Sequence, residues 1–126
     1  MQVSSQRAAL ALADTFPGGV FPARCPSRVV LEHVTSKWGV LILVALSDRA
    51  LRWSELRRRA DGISEKMLAQ TLRTLERDGF VHRDAQPVIP PRVDYSLTDR
   101  GRELVALLLP LMEWIVSNAE EIVADP

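Results

Sequence analysis

The stretch that decides the fold reads Gly62-Ile63-Ser64-Glu65-Lys66-Met67-Leu68-Ala69-Gln70-Thr71-Leu72-Arg73-Thr74-Leu75-Glu76-Arg77-Asp78-Gly79-Phe80-Val81-His82-Arg83. It spells a short helix with a start and a stop. Ser64 suits the N-cap, because its hydroxyl can accept from first-turn amides that lack intrahelical partners. Glu65 follows where the helix dipole favours an anion. Gly79 can take the left-handed backbone that closes a helix at the C′ position. Leu68, Leu72 and Leu75 recur at i, i+4 and i+7, which makes one apolar stripe. At about 100° per residue, Lys66, Gln70, Arg73 and Arg77 gather on the opposite side. Gln and Arg side chains can read base edges in the DNA major groove, and the cations can meet phosphate. An ordinary solvated helix carries the same residue types, so the surroundings must decide between the two.

Just upstream, Ser54 is expected to cap a second short helix, Glu55 to Ala60, with Leu56 inward and Arg57, Arg58 and Arg59 exposed. Asp61-Gly62 forms a tight turn between the two helices. Helix, glycine turn, amphipathic helix is the helix-turn-helix arrangement, in which the first helix crosses the DNA backbone. Arg57 and Arg58 are candidate phosphate contacts there. Ser64, Lys66, Gln70 and Arg73 are candidates to enter the major groove. Arg77, near the helix end, is better placed for phosphate.

Downstream, Phe80 to Arg83 alternates as a strand. Asp84 to Pro91 reads as a turn-rich loop, and Arg92 to Leu97 alternates again with Val93, Tyr95 and Leu97 on one face. A helix-turn-helix followed by a two-strand hairpin is a winged helix. Arg92, with Arg83, flanks this wing, where it either touches phosphate or only solubilises a hairpin edge. The expected fold class is mainly α with a small β-hairpin wing.

The last helix is expected from Asp99 to about Val123, capped by Thr98 and bent at Pro110. Leu104, Leu108, Leu111, Ile115 and Ile122 follow a 3–4 spacing, and Val105, Leu109, Met112, Val116, Ala119 and Val123 follow it one residue on. Two neighbouring stripes suggest that one covers the chain's own domain and one a twin chain. The dimer candidates are Leu104, Leu108, Leu111, Trp114, Ile115 and Ile122.

Toward the N-terminus, Ser36 is expected to cap a core helix from Lys37 to Ser47 that carries Trp38, Leu41, Ile42 and Leu46. Asp48-Arg49-Ala50 forms a turn, and Leu51-Arg52-Trp53 a short strand with Trp53 inward. A short amphipathic helix precedes the core helix, from Ser27 to Val34. Residues 1–24, broken by Pro17-Gly18-Gly19, read as an arm. The expected domains are therefore the arm at 1–24, the winged helix-turn-helix at 25–98 and a dimerisation helix at 99–126.

Composition narrows the function classes. The 126 residues are 47% hydrophobic and 25% charged, as in an ordinary soluble domain with a real core. The net charge is zero, but it is unevenly spread. From Arg49 to Arg83 nine Lys and Arg face five acids, a net of +4, whereas from Glu103 onward there are five acids and no Lys or Arg. A basic middle points to an anionic partner. No apolar run approaches the roughly 18 residues of a membrane span, and no signal-peptide order opens the chain, so a cytoplasmic protein is expected. The single cysteine, Cys25, excludes an intrachain disulfide and a multi-cysteine zinc site. His33 and His82 are far apart, and no phosphate loop, paired-carboxylate motif or metal-spaced cluster occurs. Catalysis, cofactor and metal are therefore not expected.

Taken together, these residues resemble the HxlR family of bacterial winged-helix regulators, relatives of the MarR type. The resemblance runs through Cys25-Pro26, Lys37-Trp38, Trp53-Ser54-Glu55-Leu56 and the Gly62 to Leu68 block. It continues through Leu72-Arg73-Thr74-Leu75-Glu76, Asp78-Gly79, the wing Pro90 to Thr98, and Gly101 and Trp114. It covers about residues 25–118. It implies a homodimer that binds a palindromic double-stranded DNA operator, usually as a repressor. Some members sense electrophiles or oxidants through a cysteine just before the first core helix, and Cys25 holds that position. Cys25 is thus a candidate redox sensor flanked by Arg24 and Arg28, or simply a small buried residue. A non-covalent small-molecule effector and a winged-helix protein-interaction module are the alternatives.

Overall fold

The computed structural model describes residues 21–124. The arm expected at 1–24 lies mostly outside them. The described residues fall into two compact units, one ending at Thr35 and one beginning at Ser36.

The first unit holds helix α1, Pro26–Val34. Cys25 is its N-cap, and Pro26 suits the first turn because its missing N–H leaves nothing unsatisfied there. The hydroxyl of Thr35 donates to the Leu31 carbonyl at 2.6 Å at the other end.

The second unit holds α2 (Lys37–Ala45), β1 (Leu51–Arg52), α3 (Trp53–Arg59), α4 (Glu65–Arg77), β2 (Val81–Gln86), β3 (Arg92–Leu97) and α5 (Asp99–Ala124). Ser36 caps α2 as expected, its Oγ accepting from the Gly39 amide at 3.1 Å. Helix α2 is the centre of the unit, packed against α3, α4 and α5. Its Ile42 and Leu43 are wholly buried, as are Leu56 of α3 and Leu68 of α4. Each such side chain contributes about 2 kcal/mol by leaving water.

The strands form one antiparallel sheet in the order β1-β3-β2. Leu51 pairs with Tyr95, and Val81 with Leu97. Tyr95 and Leu97 are buried and Val93 is half-buried, so the expected inward face of β3 is correct. Strand β2 is longer than expected. It runs to Gln86, which pairs with Arg92, because β3 supplies partners that local composition does not reveal. The loop is therefore shorter than the Asp84 to Pro91 stretch that was expected.

Two other local expectations fail near β1. Trp53 is the first residue of α3 rather than part of the strand, and it is half-buried. Ser54 does not cap α3. The N-cap is Arg52, whose amide donates to Glu55 Oε1 at 3.0 Å, so the glutamate reaches back to do what the serine was expected to do.

Helix α4 ends as written in its residues. Gly79 has φ of 81°, the Phe80 amide donates to the Leu75 carbonyl at 2.9 Å, and the Gly79 amide donates to Glu76 at 3.0 Å. These two bonds close a Schellman motif. The corner is then clasped by the start of α5. The Thr98 amide donates to the Phe80 carbonyl at 3.0 Å, and the Thr98 hydroxyl donates to the Gly79 carbonyl while accepting from the Gly101 amide. Arg100 adds a bond from Nη1 to the Asp78 carbonyl at 2.9 Å. The end of α4 is therefore fixed to α5 through backbone. Helix α5 continues through Pro110.

Candidate nucleic-acid interface

The candidate interface comprises α3, the turn, α4 and the wing. Ala60 ends α3, and Gly62 turns the chain with φ of 89°. Ile63 is buried, which ties the turn to the core. The ring of Trp38 lies against the turn, since a β-carbon on Gly62 would be 3.9 Å from it. Trp38 is half-buried rather than fully internal, and Lys37 Nζ sits 4.4 Å from its ring centroid. Ser64 then caps α4 as expected, its Oγ accepting from the Met67 amide at 3.0 Å.

Leu68, Leu72 and Leu75 are buried, and so is Thr71. Ser64, Lys66, Gln70, Arg73 and Arg77 are all exposed. Among the described residues, the side chains of Lys66, Gln70, Arg73 and Arg77 have no hydrogen-bond or ion-pair partner. The front of α4 is therefore a row of uncommitted donors and cations on a rigid back. The serine hydroxyl differs, because its capping bond uses its acceptor side and leaves its proton to give.

The three arginines of α3 divide their tasks. Arg59 Nη1 donates to the Ala45 carbonyl at 3.0 Å and to Asp48 Oδ1 at 3.1 Å, which ties α3 to the end of α2. The bond from Arg59 holds the Asp48 carboxyl below its usual range. Arg57 and Arg58 remain exposed beside the turn, with Arg57 Nη1 3.3 Å from Glu65 Oε1. Glu55 is also held below the usual carboxylate range, first by the Arg52 amide and then by Arg49, whose Nη2 lies 3.1 Å away.

At the wing, Arg92 is exposed but not loose. Its Nε lies 3.2 Å from Asp94 Oδ1. Asp94 Oδ2 also accepts from Gln86 Nε2 at 2.9 Å, and Arg52 Nε is 4.0 Å from Oδ1. One carboxylate on the central strand thus faces both neighbouring strands. Asp94 was not anticipated as a site residue. In an alternating strand it looks like any outward polar residue, and only the register that sets Arg52 opposite it marks it out. The wing tip is apolar, with Ile89 fully exposed and Val88 half so.

An exposed cationic helix, an Arg-bearing helix across a glycine turn, and a three-stranded wing now stand together. A family model described as HxlR-like helix-turn-helix matches residues 33–123. The chain belongs to the HxlR-like helix-turn-helix family. It is 54% identical over 107 residues, 85% of each chain, to YtfH of Escherichia coli, an uncharacterized HTH-type transcriptional regulator. Among solved structures it resembles a chain named for the regulator ytfH from Salmonella typhimurium, with a TM-score of 0.78 and 53% identity, covering 85% of this chain and 96% of that one. It also resembles the redox regulator HypR in its oxidized form, with a TM-score of 0.70 and 39% identity, covering 75% and 97%.

Within this HxlR-like chain, the dimer candidates separate along α5. Leu108 is buried at 8% exposure and Leu104 is half-buried, together with Gly101 and Val105. These residues form the face that packs on α2 and β3, so Leu104 and Leu108 belong to the chain's own core. Periodicity identifies a stripe but not which element it covers. Past Leu108 the pattern changes. Leu111, Trp114, Ile115 and Ile122 are 51%, 58%, 42% and 58% exposed, and Val116 and Val123 still more so. Burial within the chain is not divided around the helix between the two stripes. The division is along its length.

Cys25 is half-buried, and its Sγ accepts from the Arg28 amide at 3.4 Å. The Arg28 guanidinium turns elsewhere, donating to the Phe21 carbonyl at 3.2 Å and pairing with Glu32 at 3.4 Å. The sulfur thus accepts from an amide at the start of α1, while the Arg28 guanidinium is engaged by Phe21 and Glu32. Among the described residues, no cluster of three His, Cys, Asp or Glu side chains is placed to hold a metal, and no helix is long and apolar enough to cross a membrane.

Proposed function

We propose that this HxlR-like regulator is a dimeric repressor that reads a palindromic operator in double-stranded DNA with α4. The observation that carries the reading is the front of that helix, where Lys66, Gln70, Arg73 and Arg77 are exposed and uncommitted over a buried leucine back. Ser64, Lys66, Gln70 and Arg73 enter the major groove. Arg57, Arg58 and Arg77 meet phosphate, and Arg92 sits at the wing. Residues 25–98 serve as the DNA-binding domain, and the exposed half of α5 within 99–126 pairs two copies. Two copies read half-sites about one helical turn apart, roughly 34–36 Å. Selection of bound sequences from a randomised library tests the reading. A two-fold symmetric site is expected, and no binding at any salt below about 100 mM would contradict it, since phosphate contacts strengthen steeply as salt falls.

The solved structures that this chain resembles include a redox regulator, HypR, at 39% identity. With Cys25 partly accessible at a helix N-terminus, this supports a thiol-responsive switch, in which oxidation or alkylation at Sγ changes operator affinity.

A further inference from the structure

We infer that Glu65 reads a base in the operator and that Arg57 is the residue that positions it. The inference rests on the DNA-binding reading of α4 given above. Glu65 is the first residue of that helix. Helical Cα–Cβ bonds tilt toward the N-terminus, so its side chain reaches past the start of the helix. Residues at that end of a recognition helix are the ones that meet base edges.

The carboxylate is both held and available. Its Oε1 lies 3.3 Å from Arg57 Nη1 across the glycine turn, while the side chain remains 71% exposed. The two residues border an open groove shared with Ser54, Arg58 and Asp61. An ion pair this exposed contributes little to folding, so its value as a staple between α3 and α4 is small. Arg57 offsets the repulsion that a lone carboxylate would feel from phosphate, and its remaining N–H groups are left for the DNA backbone.

An ionised carboxylate can only accept. In the major groove guanine presents two acceptors, and thymine an acceptor and a methyl group. Adenine sets its amino group beside an acceptor. Cytosine presents its N4 amino group alone, and Glu is a recognised partner for it. Glu65 therefore selects cytosine at one position of each half-site. Its orientation comes from Arg57.

The test is selection from a randomised two-half-site library with the full-length wild type and with Glu65→Ala, Glu65→Gln and Arg57→Ala, all at one salt concentration. Wild type is expected to enrich cytosine at one position per half-site. Glu65→Ala should relax that position alone, with about a tenfold loss of discrimination. Glu65→Gln should move the same position toward adenine, because an amide can donate as well as accept. Arg57→Ala should weaken all sequences and broaden that position. If the Glu65 variants keep the wild-type preference at every position and change only overall affinity, the base-reading role is overturned while DNA recognition by α4 stands. A wild type that selects no site overturns both.

Discussion

A β-carbon on Gly101 would lie 2.1 Å from the carbonyl oxygen of Phe80, so the first turn of α5 and the corner that follows α4 meet backbone to backbone. The opposing atom cannot swing away as a side-chain tip would, because the Phe80 carbonyl is already bound by the Thr98 amide. Gly101→Ala is expected to destabilise the fold by roughly 3 kcal/mol, the upper end of overpacking costs. Urea unfolding at fixed protein concentration should show a lower midpoint with an unchanged slope. An unchanged midpoint would mean that the corner yields and does not set the position of α4.

The Asp48–Arg59 bond gives stability a dependence on pH. The bond from Arg59 depresses the folded-state pKa of Asp48. Its contribution is therefore fully present above the unfolded value of about 4, and is lost as pH falls through the folded value. Asp48→Asn should unfold more easily than wild type at pH 7, by a small margin suited to an exposed pair, and the gap should close in acid. A gap that persists unchanged at low pH would assign the effect to something other than this charge.

The exposed half of α5 predicts the assembly. Leu111→Glu and Trp114→Glu place charge on residues that are 51% and 58% exposed in the single chain. Both variants are expected to stay helical and to sediment at the mass of one chain, with wild type at twice that. Affinity for a two-half-site operator should drop about a hundredfold, because the second half-site is then no longer reached intramolecularly. Dimers that persist in both variants would move the interface elsewhere.

For Cys25, a thiol oxidant should change operator affinity in wild type and leave Cys25→Ser unaffected. An equal response in the two proteins would remove the thiol from the switch.

What the residues disclosed, and what they hid, follows from how local each signal is. Ser64 and Gly79 act within one turn of the chain, and both ends of α4 stand where they were expected. Ser54 has the right chemistry for a cap but the wrong place, since the competing reach of Glu55 to the Arg52 amide is settled by the strand before it. The length of β2 depends on β3, and the role of Asp94 on Gln86 and Arg52 from two other strands. Leu104 and Leu108 carry the same periodic mark as Leu111 and Ile115. Only the packing of α5 on α2 and β3 separates core from exposed surface.

The central claim is that the exposed front of α4 reads sequence while α3 supplies phosphate contacts. It is tested most directly by measuring the affinity of Arg73→Ala and Arg58→Ala for the selected operator and for single-position variants of it across a range of salt. Arg73→Ala should lose about 1–3 kcal/mol on the operator and relax its preference at one position in each half-site, whereas Arg58→Ala should weaken every sequence alike and reduce the salt slope by about one. Loss of affinity without any change of preference in Arg73→Ala would contradict the account.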